Sequence, residues 1–219
     1  MIRDKKDAKI NENRLFKDIP YPKILKHFMM YWQTNKVKLM GTGIIICGLN
    51  GSGKSTLGKA LAEKLHYHFI DDEDLYFSKT DSGYSYASSR TRKEAEKLLF
   101  NEINAHGNFV FASVKGDYGE TVYPLFQYAV FIDVPKCIRL QRVKNRSFQK
   151  FGSRMLPGGD LYVQEKRFFD FVESRAENTV EEWVQSLNCP IIRIDGTKPI
   201  EENINFILCR LPNENAEEQ

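Results

Sequence analysis

Short apolar runs alternate with amphipathic stretches along most of this chain of 219 residues. The runs are rich in β-branched and aromatic residues, which favours buried strands. They predict five strands, at residues 43–47, 68–71, 109–114, 128–134 and 190–195. Because a stretch with helical character separates successive strands, the expected fold is α/β, a parallel sheet with helices on both faces. Ligands of such sheets bind beyond the carboxyl ends of the strands.

The segments between the strands show the apolar spacing of amphipathic helices. Helices are predicted at residues 54–65, from 92 onward, at 136–151, at 160–187 and at 199–210. The second of them begins with Thr91 and Glu94, which have the spacing of a capping box. The long region 160–187 has an apolar stripe that predicts an inward face formed by Phe168, Phe171, Val172, Val180, Trp183 and Val184.

Charge is distributed unevenly and divides the chain into three predicted segments. Residues 1–40 carry ten basic and four acidic side chains, a balance of +6, which leaves 3 − 6 = −3 for the remainder. We expect a basic N-terminal arm at 1–40 with one amphipathic helix, a domain at 41–211 and a disordered tail at 212–219. The arm helix would contact a partner or a membrane surface, or pack on the domain. Because the excess positive charge lies in the arm, we expect no nucleic acid partner for the domain.

Composition narrows the class of protein further. The sequence contains no apolar run as long as a membrane span and no apolar core of a signal peptide near its start. The four cysteines are widely separated, and the four histidines form no recognisable ligand cluster. These features predict a cytoplasmic protein with reduced cysteines.

The stretch from Gly48 to Ser55 matches the phosphate-binding pattern G-x-x-x-x-G-K-[ST], the P-loop. It follows the first predicted strand and precedes the first predicted helix, which is the context that the pattern requires. Glycines let the backbone direct its N–H groups toward an anion at the positive end of a helix. Lys54 is expected to reach the β- and γ-phosphates of ATP, and Ser55 to bind Mg²⁺. The residues predicted to bind ATP here are Gly48, Asn50, Gly51, Ser52, Gly53, Lys54, Ser55 and Thr56.

Several features together resemble the nucleoside-monophosphate kinase superfamily, which includes shikimate and gluconate kinases. They are the P-loop, the acids after the second strand, an arginine-rich helix and the sequence D-G-T-K-P-I-E-E-N at 195–203. The chain also resembles uncharacterised bacterial AAA-type ATP-binding proteins. The resemblance covers roughly residues 43–210. It implies the strand order 2-3-1-4-5, a LID at about residues 144–165 that closes over the phosphates, and a loop with Gly196 and Thr197 beside the adenine.

The acidic run after the second strand is the first candidate for chemistry outside the P-loop. It is similar to the D-x-D segment of shikimate kinases, with Asp72 and Asp74, or Asp71 and Glu73, in register. A carboxylate here would hold Mg²⁺ or bind a substrate hydroxyl, although four acids in a row are also typical of a solvated loop. The third strand ends in Ser113 rather than in an aspartate, which leaves the second strand to supply the carboxylate. We therefore predict Asp72 as a catalytic and metal-binding residue and Asp74 as a substrate-binding one.

The fourth strand is followed by a segment, 136–159, with seven basic residues and no acid. Such a segment repels itself and needs an anionic partner, although charge runs also form solvated helix faces. Arg142 and Arg146 match the R-x-x-x-R pattern that precedes the LID in the family. There such arginines cover the adenine and hold the transferred phosphoryl group, which implies catalytic roles for both and nucleotide binding by Arg142. For Arg139 and Arg154 the sequence leaves open whether the role is functional or structural.

Residues 76–89, rich in serine, tyrosine and glycine, predict a loop that would contact the acceptor. Arg90 and Arg92 follow it and are candidates for binding an anionic group of the acceptor, although Arg92 also fits a surface helix position. Lys115 and Asp117 follow the third strand in a stretch that faintly resembles gluconate kinases. They would bind or deprotonate the acceptor, or form an ordinary turn.

These observations predict an ATP-binding, Mg²⁺-dependent phosphotransferase that moves the γ-phosphoryl group of ATP to a small-molecule acceptor. The composition of the acceptor loop fits a sugar, a nucleotide or an acidic metabolite. The competing hypothesis is an ATP-binding or ATPase regulatory module without a small-molecule acceptor. The two differ in whether phosphorylated product is formed. A nucleic-acid enzyme ranks third because no base-stacking motif is present.

Overall fold

The computed structural model describes residues 41–77 and 89–212. The predicted arm with its amphipathic helix, most of the predicted acceptor loop and nearly all of the predicted tail lie outside the described residues. The strands are β1 (Gly43–Cys47), β2 (His68–Asp71), β3 (Phe109–Ser113), β4 (Tyr128–Asp133) and β5 (Ile191–Asp195). The α-helices are α1 (Lys54–Leu65), α2 (Asp72–Tyr76), α3 (Arg92–His106), α4 (Lys136–Phe151), α5 (Tyr162–Ser174), α6 (Thr179–Val184) and α7 (Ile200–Leu208). Short 3-10 helices are formed by Tyr123–Leu125 and Gly152–Met155.

The strands form one parallel sheet in the order β2-β3-β1-β4-β5. The central strand β1 pairs with β3 on one side and with β4 on the other, so that Ile45 lies opposite both Phe111 and Ala129. Every residue of β1 and of β3 is buried, as expected for strands that are covered on both faces. The predicted fold class and strand order are confirmed.

The two faces of the sheet have different cores. Ile44 and Ile46 point to one face, because side chains alternate along a strand. There they join a cluster with residues of α1 and α7, among them Leu57, Leu61, Ile204 and Ile207. Phe109 and Phe111 of β3 point to the other face, because they alternate with Val110 of this cluster. Their rings lie 6.4 and 6.2 Å from the ring of Phe126. Helix α1 is therefore fixed to the sheet by apolar packing directly behind the P-loop.

The long helical region predicted at 160–187 is two helices. Helix α5 ends at Ser174, the following Arg175 has an extended backbone, and α6 begins at Thr179. Of the predicted inward side chains, Val172 and those of α6 are buried, but Phe171 is 52% exposed. The prediction for Phe171 is wrong because it is the immediate neighbour of Val172, about 100° away around the helix. None of the described helices is long and apolar enough to cross a membrane.

The acidic run forms the first turn of a helix rather than a solvated loop. The carboxylate of Asp71 caps α2 by accepting the N–H of Glu73 at 3.1 Å. Asp72, Glu73 and Asp74 follow in the first turn, where negative charge is stabilised by the helix dipole. Leu75 is buried and anchors the turn to the domain. The turn fixes the directions of the acids relative to β2.

Two histidines that are far apart in the sequence meet at the amino end of β2, at the opposite edge of the sheet from the P-loop. His68 Nε2 lies 2.8 Å and His106 Nε2 lies 3.8 Å from Glu102 Oε2. The expectation that the histidines form no ligand cluster is therefore wrong. The two rings are stacked with centroids 3.6 Å apart and planes 10° apart. Because lone pairs in nearly parallel planes do not converge, a shared metal ion would require both rings to turn.

Gly43 begins β1 at a point where a side chain has no room. A Cβ atom there would lie 2.2 Å from the carbonyl oxygen of Leu125 and 2.4 Å from Cζ of Phe109. We expect Gly43→Ala to lower the free energy of unfolding by about 1–3 kcal/mol, because the packed core must shift to admit the methyl group. Chemical denaturation measures the change, with Thr42→Ala as the neighbouring control. A Gly43→Ala variant at least as stable as the parent would contradict this packing.

Candidate functional site

The P-loop joins β1 to α1 at the carboxyl edge of the sheet. Gly51 and Gly53 have φ angles of 81° and 98°, which residues with a Cβ atom rarely adopt. A Cβ atom on Gly51 would also lie 2.3 Å from the carbonyl oxygen of Arg139. Ser52 closes the turn by donating its N–H to the Leu49 carbonyl at 3.1 Å. Gly53 is followed at once by the first N–H groups of α1, which have no carbonyl partner within the helix. The P-loop backbone therefore offers free N–H groups that can bind an anion.

Arg139 supports the P-loop from α4. Its side chain is only 3% exposed. Nε donates to the Val134 carbonyl at 3.0 Å and Nη1 to the Asn50 carbonyl at 3.4 Å. Nη2 lies 2.8 and 2.6 Å from the two carboxylate oxygens of Glu177. Of the two roles that the sequence left open for Arg139, these contacts favour the structural one.

Lys54 is the first residue of α1, and its Nζ donates to the Leu49 carbonyl at 3.2 Å. Burial lowers the pKa of Lys54 to about 8. The Asp71 carboxylate opposes this shift, whereas the positive charges of Arg146 and Arg175 add to it. The amine is therefore held beside the P-loop in surroundings that lack a full counter-charge, as a site for an anionic ligand would be.

Asp72 is held in place by two hydroxyl groups. Ser113 Oγ, at the end of β3, donates to Asp72 Oδ2 at 2.8 Å, and the Tyr118 hydroxyl donates to Oδ1 at 2.5 Å. Burial raises the pKa of Asp72, and these two hydrogen bonds act in the opposite direction. Burial and the neighbouring carboxylate raise the pKa of Tyr118, which keeps its hydroxyl group protonated as a donor. Tyr118 was not predicted from the sequence, because its contact with Asp72 joins residues that are 46 positions apart.

A cavity of about 340 Å³ lies in front of Lys54 and Asp72; we call it the carboxylate cavity. Its lining combines P-loop residues, acids, one arginine and aromatic rings, including Asn50, Gly51, Lys54, Ser55, Asp71, Asp72, Glu73, Tyr76, Phe77, Arg146, Phe168 and Phe171. Arg175, also missed in the sequence, lies nearby. It donates to Asn50 Oδ1 at 3.2 Å, and its guanidinium carbon is 4.7 Å from the centre of the Phe171 ring.

A second cavity, of about 230 Å³, lies on the other side of the P-loop; we call it the Gly196 cavity. Its lining includes Ser52, Gly53, Thr56, Leu57, Ile132, Arg142, Ile194, Gly196, Lys198, Ile200 and Asn203. Both terminal nitrogens of Arg142 donate to the Gly196 carbonyl, each at 3.1 Å. A Cβ atom on Gly196 would lie 2.5 Å from Cγ2 of Ile132 and of Val134, so this close approach requires glycine.

Thr197, the other residue predicted to lie beside the adenine, stabilises the turn after β5. The backbone N–H and hydroxyl of Thr197 both donate to Asp195 Oδ1, at 2.8 and 2.6 Å. Thr197 is not among the residues that line the Gly196 cavity, whereas Lys198 and Asn203 are. Asn203 is buried, and its Nδ2 donates to the Asp195 carbonyl at 2.9 Å. Asn203 is the last residue of the 195–203 sequence that carries the resemblance, but no role was predicted for it.

Arg142 and Arg146 lie one turn apart on α4 but belong to different cavities. Arg142 lines the Gly196 cavity, and Arg146 lines the carboxylate cavity opposite Lys54 and Asp72. The P-loop separates the two, since Ser52, Gly53 and Thr56 line the first and Asn50, Gly51, Lys54 and Ser55 the second. The spacing of the R-x-x-x-R pattern thus places one guanidinium group on each side of the loop.

Arg90 and Asp74, two predicted acceptor-binding residues, do not line either cavity. The Nη1 atom of Arg90 donates to the carbonyl oxygens of Asp74 and Leu75, at 3.1 and 2.9 Å. Arg90 therefore ties the chain after the predicted loop to the end of α2. The side chain of Asp74 lies on the exposed side of that helix.

Arg92, Lys115 and Asp117 also lie outside the two cavities. The Nη2 atom of Arg92 donates to the Asp117 carbonyl at 2.5 Å and lies 3.5 Å from its carboxylate. The same carboxylate accepts the hydroxyl of Tyr123 at 2.8 Å. Ser113 Oγ also lies 2.8 Å from the Lys115 carbonyl oxygen, so its single hydroxyl proton is shared between this turn at the end of β3 and Asp72. Arg92, Asp117 and Tyr123 are thus linked to one another, and none of them lines a cavity beside the P-loop.

The fold and the P-loop define a P-loop protein of the nucleoside-triphosphate-binding class. A family model described as an AAA domain matches residues 44–151. The chain is 28% identical over 177 residues to YqaC of Bacillus subtilis (strain 168), an uncharacterised protein, and the match covers 77% of this chain and 97% of YqaC. It is 30% identical over 137 residues to a shikimate kinase of Gloeobacter violaceus (strain ATCC 29082 / PCC 7421), covering 58% of this chain and 73% of that enzyme. Two further shikimate kinases are matched over less than half of their length.

Among solved structures, a gluconokinase from Sinorhizobium meliloti 1021 is similar, with a TM-score of 0.44 and 16% identity over 77% of this chain and 90% of that one. The relatives establish the family. The chain belongs to the P-loop kinases of the nucleoside-monophosphate, shikimate and gluconate kinase-like superfamily. That family implies ATP as the nucleotide, typically with Mg²⁺.

Two of the seven basic residues in segment 136–159 have acidic partners from outside it, contrary to the idea that the segment lacks neutralising acids. Arg139 is buried against Glu177, and Arg154 forms an exposed pair with Asp160 at 2.6 Å. We expect Arg139→Met to lower the free energy of unfolding by about 1–3 kcal/mol, because it leaves the buried Val134 carbonyl without its donor.

Arg154→Met is the matched control for this prediction. Its pair is open to solvent, where ion pairs contribute little to stability. Thermal and chemical denaturation of both variants measure the difference. Equal stability of the two variants would contradict the supporting role of Arg139.

Proposed function

We propose that this chain is an ATP-dependent kinase that transfers the γ-phosphoryl group of ATP to a small-molecule acceptor. The observation that supports this most is the position of the P-loop between two separate cavities, of about 230 and 340 Å³. A kinase needs room for a nucleoside on one side of the reacting phosphate and for an acceptor on the other. A simple ATPase needs space for a water molecule only.

The residues of the P-loop suit a triphosphate with Mg²⁺. The backbone turn at Gly51 and Gly53 and the amine of Lys54 offer donors and positive charge for the phosphates. The hydroxyl of Ser55 and the carboxylate of Asp72 line one cavity and are the oxygen ligands that Mg²⁺ prefers. Mg²⁺, when bound, neutralises phosphate charge that the protein side chains do not.

The two arginines of α4 would act on opposite ends of the nucleotide. Arg142 and Gly196 lie in the cavity that we assign to the nucleoside. Arg146 lies with Lys54 in the carboxylate cavity, where the γ-phosphoryl group would be transferred. We assign the closing LID to about residues 144–165, which begin two residues before Arg146. Catalysis would then consist of positioning and of charge stabilisation in the transition state.

The experiment that tests the proposal measures phosphorylated product by mass spectrometry over a panel of small-molecule acceptors with ATP and Mg²⁺. We expect product from at least one acceptor, and none with Lys54→Ala, which lacks the charge for the β- and γ-phosphates. ATP consumption without product from any acceptor would instead favour the regulatory ATPase.

The lowered pKa of Lys54 predicts how nucleotide binding depends on pH. With a pKa of about 8 in the free protein, the amine is charged at pH 7 and largely neutral at pH 9. Bound phosphate favours the charged form, so affinity is highest below pH 8 and falls above it. From pH 7 to pH 9 the dissociation constant for ATP with Mg²⁺ should rise about tenfold. Isothermal titration at constant ionic strength measures it.

Lys54→Arg is the control for this pH dependence, because a guanidinium group stays charged throughout the range. The affinity of that variant should be nearly constant between pH 7 and pH 9, whatever its absolute value. The same pH dependence in both proteins would show that another group causes it.

The assignment of Arg142 and Arg146 to opposite ends of the nucleotide predicts different kinetic effects. Arg146→Ala should lower kcat by about 100-fold or more with little effect on ATP affinity, because its contact strengthens in the transition state. Arg142→Ala should mainly weaken ATP binding. Arg146→Lys should restore little activity, since an ammonium group lacks the planar fork. Steady-state kinetics with ATP titrations separate the effects, and equal changes in both variants would refute the assignment.

A further inference from the structure

A group of three potential metal ligands lies at the amino end of β2, away from both cavities. Its members are His68, Glu102 and His106, whose ligand atoms all lie within 4.8 Å of one another. Among the residues that the structure describes, no other three histidine, cysteine, aspartate or glutamate side chains come so close. None of the three lines the cavities beside the P-loop. The proposed kinase function therefore gives this group no role.

The backbone brings these side chains together and keeps them in place. Helix α3 ends at His106, and Gly107, with a φ angle of 75°, turns the chain back toward the sheet. The carbonyl group of the next residue, Asn108, accepts the N–H of His68 at 3.0 Å. Phe109 then pairs with His68 in the register of β2 and β3. The last turn of α3 is thus fixed beside the first residue of β2.

Glu102 and His106 share one face of α3. They are four residues apart, which places them one turn apart on the same side of the helix. This spacing lets a helix present two ligands to one metal ion. His68 supplies the third ligand from the neighbouring strand. The side chains of His68, Glu102 and His106 are 30, 43 and 45% exposed, so that an ion can reach them from solvent.

The distances between the ligand atoms suit a small metal ion. Two ligands of a tetrahedral zinc ion lie about 3.4 Å apart when each bond is about 2.1 Å long. In the structure Glu102 Oε2 lies 2.8 Å from His68 Nε2 and 3.8 Å from His106 Nε2. The ring directions require adjustment, because the two rings are stacked with planes 10° apart. The χ2 torsion of histidine is soft, so these partly exposed rings can turn their lone pairs toward one ion.

We propose that His68, Glu102 and His106 form a binding site for a transition-metal dication such as Zn²⁺. Two imidazole nitrogens and one carboxylate suit Zn²⁺, whereas Mg²⁺ and Ca²⁺ prefer sets of oxygen ligands. Three protein ligands leave a fourth tetrahedral position for a water molecule. The ion would join the end of α3 to the edge strand β2 and so stabilise the folded protein. This site is separate from the Mg²⁺ that we assign to Ser55 and Asp72.

Zinc binding to the full chain, freed of metal by a chelator, tests the proposal. Isothermal titration with Zn²⁺ uses a large excess of Mg²⁺, which occupies oxygen-ligand sites, and no nucleotide, because ATP would compete for the zinc. We expect one ion per chain and a higher melting temperature when it is bound. Titration with Co²⁺ identifies the ligands by absorption, since a thiolate from the exposed Cys137 or Cys209 would add a charge-transfer band. We expect no such band.

Two variants remove one ligand each. We expect His106→Ala and Glu102→Gln to weaken zinc binding by about 100-fold or more, because even residues that only support metal ligands contribute about 10–100-fold. Glu102→Gln is the sharper test, since its amide oxygen can still accept a hydrogen bond from His68 but carries no charge for the ion. His66→Asn is the control, because His66 is exposed and lies outside the group. Asparagine tolerates the φ angle of 57° at that position.

The results separate a zinc site from a purely hydrogen-bonded group. No binding by the parent protein, several weak ions per chain or a thiolate band would each overturn the proposal. Unchanged zinc affinity in Glu102→Gln and His106→Ala would do the same. Because the group lies at the opposite edge of the sheet from the P-loop, we expect both variants to bind ATP with Mg²⁺ as the parent protein does. Loss of ATP binding in both variants would contradict the separation of the two metal sites.

Discussion

The contact between the P-loop and α4 is the constraint on which both cavities depend. The loop can approach the Arg139 carbonyl only because Gly51 has no side chain. The Arg139 guanidinium group also donates a hydrogen bond to the Asn50 carbonyl. Glu177 fixes that guanidinium group in turn. Because the same loop forms one wall of each cavity, a shift of a few tenths of an ångström here would change both at once.

The carboxylate of Asp72 is positioned by neutral donors rather than by cations. Ser113 Oγ and the Tyr118 hydroxyl contact its two oxygens, while Lys54 and Arg146 line the same cavity. An arginine in place of either donor would neutralise the carboxylate and so weaken the Mg²⁺ binding that we propose for it. Ser113, which ends β3 in place of an aspartate, thus supports the carboxylate that directly follows the neighbouring strand β2.

The region matched by the family model contains only part of the lining of each cavity. The matched family region, residues 44–151, contains the P-loop, Asp72 and both arginines of α4. It ends before Phe168, Phe171 and Gly196, which complete the cavity walls. Similarity to kinases therefore supports nucleotide binding most directly. The aromatic side chains of α5 that line the carboxylate cavity lie beyond the matched region.

The sequence by itself determined the sheet, most of its helices and the P-loop, because these depend on local patterns of apolar residues, caps and glycines. Only the tertiary structure decided which charged residues share a cavity. Arg142 and Arg146 read as a pair but lie on opposite sides of the loop, and Arg90 turns back to carbonyl groups of α2. Tyr118 meets Asp72 across a separation of 46 residues. Such contacts depend on side-chain direction and on long-range packing, which periodicity along the chain does not encode.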